Sequence, residues 1–221
     1  MTPAGYHRGF EPAAVRDYTR WFAAQELAWT MRYRRVPLNK TPADLWVYQE
    51  LISALRPRTV IEFGTWKGGT TLFLADLLDV NRIDYGLVVS VDVDPEIKPP
   101  HERIIYLAGD SMDPEIFRTI VARCHRYAPV LVIEDSDHTF SHVRAELGLY
   151  CSMVTPGSYF IVEDTGMGYT DAVELPEVAR AVADFLATHP EFEVDWAAER
   201  FGHTTCRGGF LRRKTALKHY L

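Results

Sequence analysis

The chain has 221 residues, 47% hydrophobic and 24% charged, a composition that suits one soluble globular unit with a full core. Its 24 basic and 30 acidic side chains leave a formal charge of −6, which argues against a protein that tracks nucleic-acid phosphates, so no nucleic-acid partner is expected. No apolar run approaches the roughly 20 residues that span a bilayer, charges interrupt the first 30 residues, and Cys124, Cys151 and Cys206 form no CxxC pair; a cytoplasmic chain with reduced thiols and no membrane partner is expected.

In chain order, residues 11–35 are expected to form one helix, with Val15, Tyr18, Trp21, Phe22, Leu27, Trp29 and Met31 as its apolar and aromatic positions. It ends before VPLNKTP, where Pro37 and Pro42 break a helical pattern. A second helix is expected over 44–55, with Leu45, Tyr48, Ile52 and Leu55 at helical spacing. The two make an N-terminal helical extension, residues 1–57, suited to a lid or an oligomer interface, ahead of a main domain over 58–221. From Thr59 the pattern alternates: strand 59–64, helix 68–79, strand 86–94, strand 103–110, then a helix opened by Asp113 as N-cap and Pro114 at its first position. Strand 130–137 (VLVIEDSD), helix 140–154, strand 158–165 (SYFIVEDT) and helix 174–190 follow, and FEVDWAA and GGFLRR read as a closing antiparallel pair. Strands separated by helices at this spacing mean an α/β fold, a doubly wound and mostly parallel sheet with helices on both faces.

The first strand runs into a turn containing Glu62, Gly64, Lys67, Gly68, Gly69 and Thr70. Gly64 permits a sharp exit from the strand, and Gly68 or Gly69 permits a ligand to approach the backbone where the helix starts. The spacing is neither GxGxxG nor a phosphate loop ending in GK[ST]. The next strand ends in Asp92, where a ribose would present two hydroxyls, while Asp94 reads as a turn cap. Asp110 and Ser111 end the third, an edge for an adenine ring. Glycine turn, ribose acid and third-strand acid together suit S-adenosyl-L-methionine better than a dinucleotide, because no phosphate cradle is evident.

Two later strands end abruptly in carboxylates, Asp135 and Asp137 after the first and Glu163 and Asp164 after the second. Buried parallel strands open at their carboxyl ends onto the ligand crevice, so neighbouring strands would aim these acids into one site. Carboxylates that close repel unless a cation binds among them, and oxygen ligands suit Mg²⁺ best, with Mn²⁺ also compatible. Glu163 and Asp164 are expected ligands with Asp137, or Asp135 in its place. Such an ion would acidify a substrate hydroxyl and aim its oxygen at a methyl sulfonium. His138 is the expected proton acceptor, with Asp135 beside it doing positional and electrostatic work. His142, His203 and Arg207 are weaker candidates, and Arg32, Arg34 and Arg35 would face an anionic acceptor if they border the site.

The segments DLWVYQELI, VIEFGTWKGGT, DSDHTFSHVRAELGLY, VTPGSYFIVEDT and GGFLRR, spread between Trp29 and Arg213, resemble the cephalosporin hydroxylase / rhamnosyl O-methyltransferase family. The resemblance implies a Rossmann-like class I methyltransferase fold with a seven-stranded sheet. It implies Mg²⁺-dependent methylation of a hydroxyl on a small natural product, an antibiotic nucleus or deoxysugar, by S-adenosyl-L-methionine. It carries Gly64, Asp92 and Asp110 over as cofactor contacts, Glu163 and Asp164 as metal ligands with Asp137 or Asp135 as the third, and His138 as the base. It also implies a homo-oligomer. RYRRVPLNKTP is more basic than the family's usual version of that stretch. An oxidoreductase would need a GxGxxG, a haem cysteine or a 2-His-1-carboxylate spacing that the chain lacks; a non-catalytic cofactor-binding partner is the other alternative, since fold does not dictate activity.

Overall fold

The computed structural model describes residues 13–96, 98–124, 128–166 and 176–215. The expected N-terminal helix is in fact divided. Helix α1 spans Ala13–Ala24 and a single turn, α2, spans Leu27–Thr30, separated where Glu26 takes a left-handed conformation with φ 51°. Strands β1 (Arg32–Tyr33) and β2 (Val36–Pro37) then form a small hairpin in place of the helix end. Its two turn residues, Arg34 and Arg35, both have positive φ, 48° and 70°, the backbone of a tight hairpin turn that Asn-Gly normally supplies. Asp76 anchors the hairpin, accepting from the Tyr33 hydroxyl at 2.8 Å and pairing with Arg34 at 3.1 Å. Positions 11, 12, 174 and 175 of the expected helices lie outside the described residues.

Helix α3 spans Pro42–Leu55, with Thr41 as N-cap accepting from the Asp44 N–H at 3.0 Å. The alternating part follows as β3 (Thr59–Phe63), α4 (Gly69–Val80), β4 (Leu87–Asp92), β5 (Ile104–Ala108), α5 (Pro114–Arg123), β6 (Val130–Glu134), α6 (Phe140–Tyr150), β7 (Tyr159–Val162), α7 (Glu177–Thr188), β8 (Phe192–Val194) and β9 (Phe210–Arg213). Seven strands form one sheet in the order β5-β4-β3-β6-β7-β9-β8. The first five of these pair in parallel, and β9 runs antiparallel to both β7 and β8, the closing pair expected from the sequence.

Side chains of alternate residues feed the two faces, as the period of two demands. Ile61, Phe63, Val130 and Val132 pack with Ile120, Leu147, Tyr150 and Phe185 from α5, α6 and α7. Val60, Leu131 and Ile133 pack with Val47, Tyr48 and Ile52 of α3 and Leu74 and Leu78 of α4. Strand order reverses between β3 and β6, and there the chain leaves the sheet on opposite sides, which opens a crevice beyond the strands' carboxyl ends. No described helix is long and apolar enough to cross a membrane.

Candidate active site

A cleft of about 1120 Å³ occupies that crevice, walled by the ends of β3, β4 and β6 and covered by α1, α2, residues 37–41 and residues 203–205. Pockets for drug-sized ligands run to about 1,000 Å³, so there is room for a nucleoside cofactor beside a small acceptor.

At the nucleoside end, Gly64 has φ +88° and a Cβ there would lie 1.8 Å from the Asp135 carbonyl oxygen. Only glycine allows β3 and β6 to part this closely, and the Asp135 N–H still reaches the Phe63 carbonyl at 2.9 Å. Asp92 ties the turn down by accepting from the Trp66 N–H at 2.6 Å and the Asp94 N–H at 2.8 Å. Asp110 accepts from the Met112 N–H at 2.8 Å. Gly64, Gly69, Thr70, Asp92, Asp110, Ser111 and Asp135 line the cleft. Glu62, Lys67 and Gly68 are not on that wall. Glu62 is buried beneath it, where Thr71 and Ser90 hydroxyls donate to it; burial pushes its carboxyl up to about 7 against those two bonds. Lys67 pairs with Glu96 on the surface at 2.6 Å. Gly68 and Gly69 have packing reasons of their own, since Cβ atoms there would meet Pro99 at 2.8 Å and the Pro37 carbonyl oxygen at 2.1 Å.

At the acid end, β6 and β7 deliver Asp135, Glu163 and Asp164. Asp164 has φ 57°, a left-handed conformation that aspartate tolerates better than most side chains. Its Oδ2 lies 3.0 Å from His138 Nε2. Asp135, His138 and Asp164 each offer a ligand atom within 4.8 Å of the others, a donor set that fits a divalent ion. Asp137 is exposed at the cleft rim, where its Oδ1 accepts from the Thr139 N–H at 3.2 Å, and it is outside this trio. Glu163 is 2% exposed and also outside it, and the protein already engages both its oxygens. The Tyr48 hydroxyl donates to one at 2.5 Å and Lys40 Nζ lies 2.8 Å from the other.

Lys40 also bonds Asp135 through the same ammonium, at 3% exposure. Burial opposes its charge, but the two carboxylates outweigh burial and hold the ammonium well above the ordinary lysine range. One ammonium cannot neutralise two carboxylates, and Asp164 adds a third. Burial and then the Asp135 charge push Asp164 up to about 6, with His138 opposing. Burial and Asp135 likewise raise Glu163 against the pull of Lys40 and Tyr48.

Several of these residues carry no signal in the sequence. Lys40 is one lysine in a loop between prolines, and Tyr48 reads as one more apolar-face position of α3. Asp44, at the start of the same helix, is 1% exposed and accepts from Thr41, Thr204 and the Thr205 N–H, which fastens the cover loop to α3. A polar chain, Glu134–Ser136–Glu146–Ser111, runs under the nucleoside end, and His142 Nε2 lies 3.2 Å from Glu146. Of the weaker candidates, His203 lines the cleft, bonded to Thr19 at 3.0 Å and packed on Tyr18 and Phe22, and His142 lines it too; Arg207 does not. Arg32, Arg34 and Arg35 do not border the cleft, so they offer no wall for an anionic acceptor: Arg32 bonds the Trp29 carbonyl and Arg34 is spent on Asp76.

A seven-stranded sheet with β9 reversed, a glycine turn after its first strand and acids at the ends of the next strands define a class I methyltransferase, and the solved structures agree. A CmcI structure described as holding Mg and SAM superposes with a TM-score of 0.67 over 85% of this chain and 78% of its own, at 21% identity. An O-methyltransferase from Bacillus cereus in complex with SAH reaches 0.52 over 81% of each chain, at 18% identity. At these identities the likeness is one of fold. The family comes from sequence: the rhamnosyl O-methyltransferase/CmcI model matches residues 25–214. A rhamnosyl O-methyltransferase of Mycobacterium bovis is 32% identical over 91% of this chain and 85% of its own length, and that of Mycobacterium leprae is 31% identical over 90% of each. The chain belongs to the rhamnosyl O-methyltransferase/CmcI family and is an S-adenosylmethionine-dependent O-methyltransferase.

Proposed function

We propose that this enzyme is a divalent-metal-dependent O-methyltransferase, with Mg²⁺ the favoured ion, acting on a hydroxyl of a small natural product or its deoxysugar. The observation that carries the reading is that Asp135, His138 and Asp164 converge on the wall of the same cleft that runs past Gly64, Asp92 and Asp110. Asp92 and Asp110 bind the nucleoside of the cofactor, with Ser111, Thr70 and the glycine turn around it. Asp135 and Asp164 would hold the ion, with Glu163 or Asp137 completing the set in place of His138, whose ring is kept for the proton. When bound, the ion supplies Lewis acidity to an acceptor hydroxyl. His138, 41% exposed, takes the hydroxyl proton on a ring nitrogen, and the Asp164 carboxylate 3.0 Å from its Nε2 orients the ring. The rest is positioning: methyl transfer needs the acceptor oxygen in line with the methyl group, and the cleft walls would supply that hold.

The acceptor is neutral, because the cleft wall combines Phe22, Ala23, Leu27, Ala28 and Leu38 with acids of which Asp135 already pairs with Lys40, and among the described residues its only other lysine or arginine is Arg20. Within residues 1–57, α1 and α2 act as a lid, a role supported by their residues on the cleft wall, while α3 packs in the core against the sheet. The outer face of that segment, with Trp21 53% and Trp46 56% exposed, is where a second copy would pack.

Calorimetric titration with S-adenosylmethionine, with and without MgCl₂, followed by methyl transfer from labelled cofactor to rhamnosides and macrolide aglycones, tests this. Transfer that survives EDTA undiminished would remove the ion from the mechanism.

A further inference from the structure

Three carboxylates meet at the acid end, and a lysine from a different part of the chain already occupies two of them. Lys40 lies between β2 and α3, about 95 residues before Asp135, and its 3% exposed ammonium touches both Asp135 and Glu163. We propose that Lys40 is an internal competitor for the divalent ion: it holds Glu163 and the inner oxygen of Asp135 while the ion is absent and must leave them before Glu163 can become a ligand. This rests on the metal reading above.

Three observations support it. Each Glu163 oxygen already carries a donor, one Tyr48 and the other the Lys40 ammonium, and the ammonium stands where a cation on that oxygen would sit. A cation and a divalent ion sharing the same carboxylates repel each other over a few ångströms inside a low-dielectric site. The lysine also has somewhere to go. Lys40 lines the cleft, so rotation of its own four-carbon stem carries the ammonium out while the backbone stays held by Thr41 at the α3 cap and by Pro37 against Gly69. The charge balance makes this workable: the ammonium answers the repulsion that buried Glu163 and half-buried Asp135 would otherwise suffer without a cation. Lys40 is thus a positioning residue that sets ion affinity and keeps the empty site folded.

The test is Mn²⁺ binding to the full chain, read as loss of the free-ion electron paramagnetic resonance signal and confirmed calorimetrically, for the wild type, Lys40→Met and Lys40→Arg. Competition predicts that Lys40→Met binds Mn²⁺ tighter by on the order of tenfold or more, while Lys40→Arg, which keeps the charge, stays near the wild type. Unchanged or weaker binding by Lys40→Met, with wild-type binding intact, overturns the proposal and makes Lys40 a tie that holds the acids ready for the ion. No binding by any of the three refutes the metal reading itself and this inference with it. Because Lys40→Met leaves two carboxylates facing each other and can fail to fold, the wild type supplies a second measurement. Reductive methylation with peptide mapping should find Lys40 protected without Mn²⁺ and labelled with it; equal protection in both states overturns the proposal.

Discussion

Replacing Tyr48 by phenylalanine removes one hydroxyl from the acid end and leaves the ring's packing in place. Tyr48 is fully buried, and its ring belongs to the cluster of Val47, Ile52 and Leu131 on one sheet face. The hydroxyl donates to Glu163 at 2.5 Å, a bond buried on both sides. Hydrogen bonds to charged groups contribute about 1.5–3 kcal/mol, and a buried acceptor left short of a donor sits at the upper end. Tyr48→Phe should therefore cost about 2–3 kcal/mol in urea unfolding followed by circular dichroism, and lower Tm by roughly 4–10 °C for a domain of this size. The charge assistance can be isolated by a double-mutant cycle. In a Glu163→Gln background the acceptor is neutral and the same replacement should cost only about 1 kcal/mol. A wild-type loss below about 0.5 kcal/mol, or an equal loss in both backgrounds, would refute the reasoning that a charged, desolvated Glu163 depends on Tyr48.

Glu62→Gln isolates a pH effect. Burial raises the Glu62 carboxyl from 4.5 to about 7, so between those values the folded chain binds more protons than the unfolded one and stability falls as pH rises. The glutamine variant, which can still accept from Thr71 and Ser90, should match the wild type near pH 4 and exceed it by up to about 3 kcal/mol near pH 8; parallel urea-melt profiles would contradict this. Gly64→Ala forces a Cβ to within 1.8 Å of the Asp135 carbonyl at a left-handed φ, so more than about 3 kcal/mol of stability or the soluble fold itself should be lost, and a variant within about 1 kcal/mol of wild type would show that the strands do not part there. His138→Ala should lower kcat by about 10²–10⁴ with S-adenosylmethionine affinity unchanged in calorimetry, whereas a kcat within about threefold of wild type would clear His138 of the proton.

How much of this was legible in the sequence depends on whether the feature is local. Element type and order from Thr59 onward were legible because apolar runs such as Val130–Glu134 and punctuation such as Asp113–Pro114 are properties of consecutive residues. Element ends carried the acids and the Gly64 turn with them. The stretch 11–35 failed because its break depends on backbone conformations that carry no local signature: Glu26, Arg34 and Arg35 are ordinary residues held at positive φ by contacts such as that of Arg34 with Asp76. Gly69 was legible as a special position, but its partner, Pro37, was not.

By itself, then, the sequence determined a doubly wound sheet, a family, and a set of acids delivered to one edge of that sheet. Which acids converge was decided only in three dimensions. Consecutive residues leaving a strand point different ways, so Asp135 enters the trio with His138 and Asp164 while Asp137, two positions on, caps the next turn at the rim. Lys40 and Tyr48 reach Glu163 across 123 and 115 residues of chain, brought there by α3 packing on the sheet beside α4. Contacts of that span come from burial of whole faces, and no window of neighbouring residues encodes them.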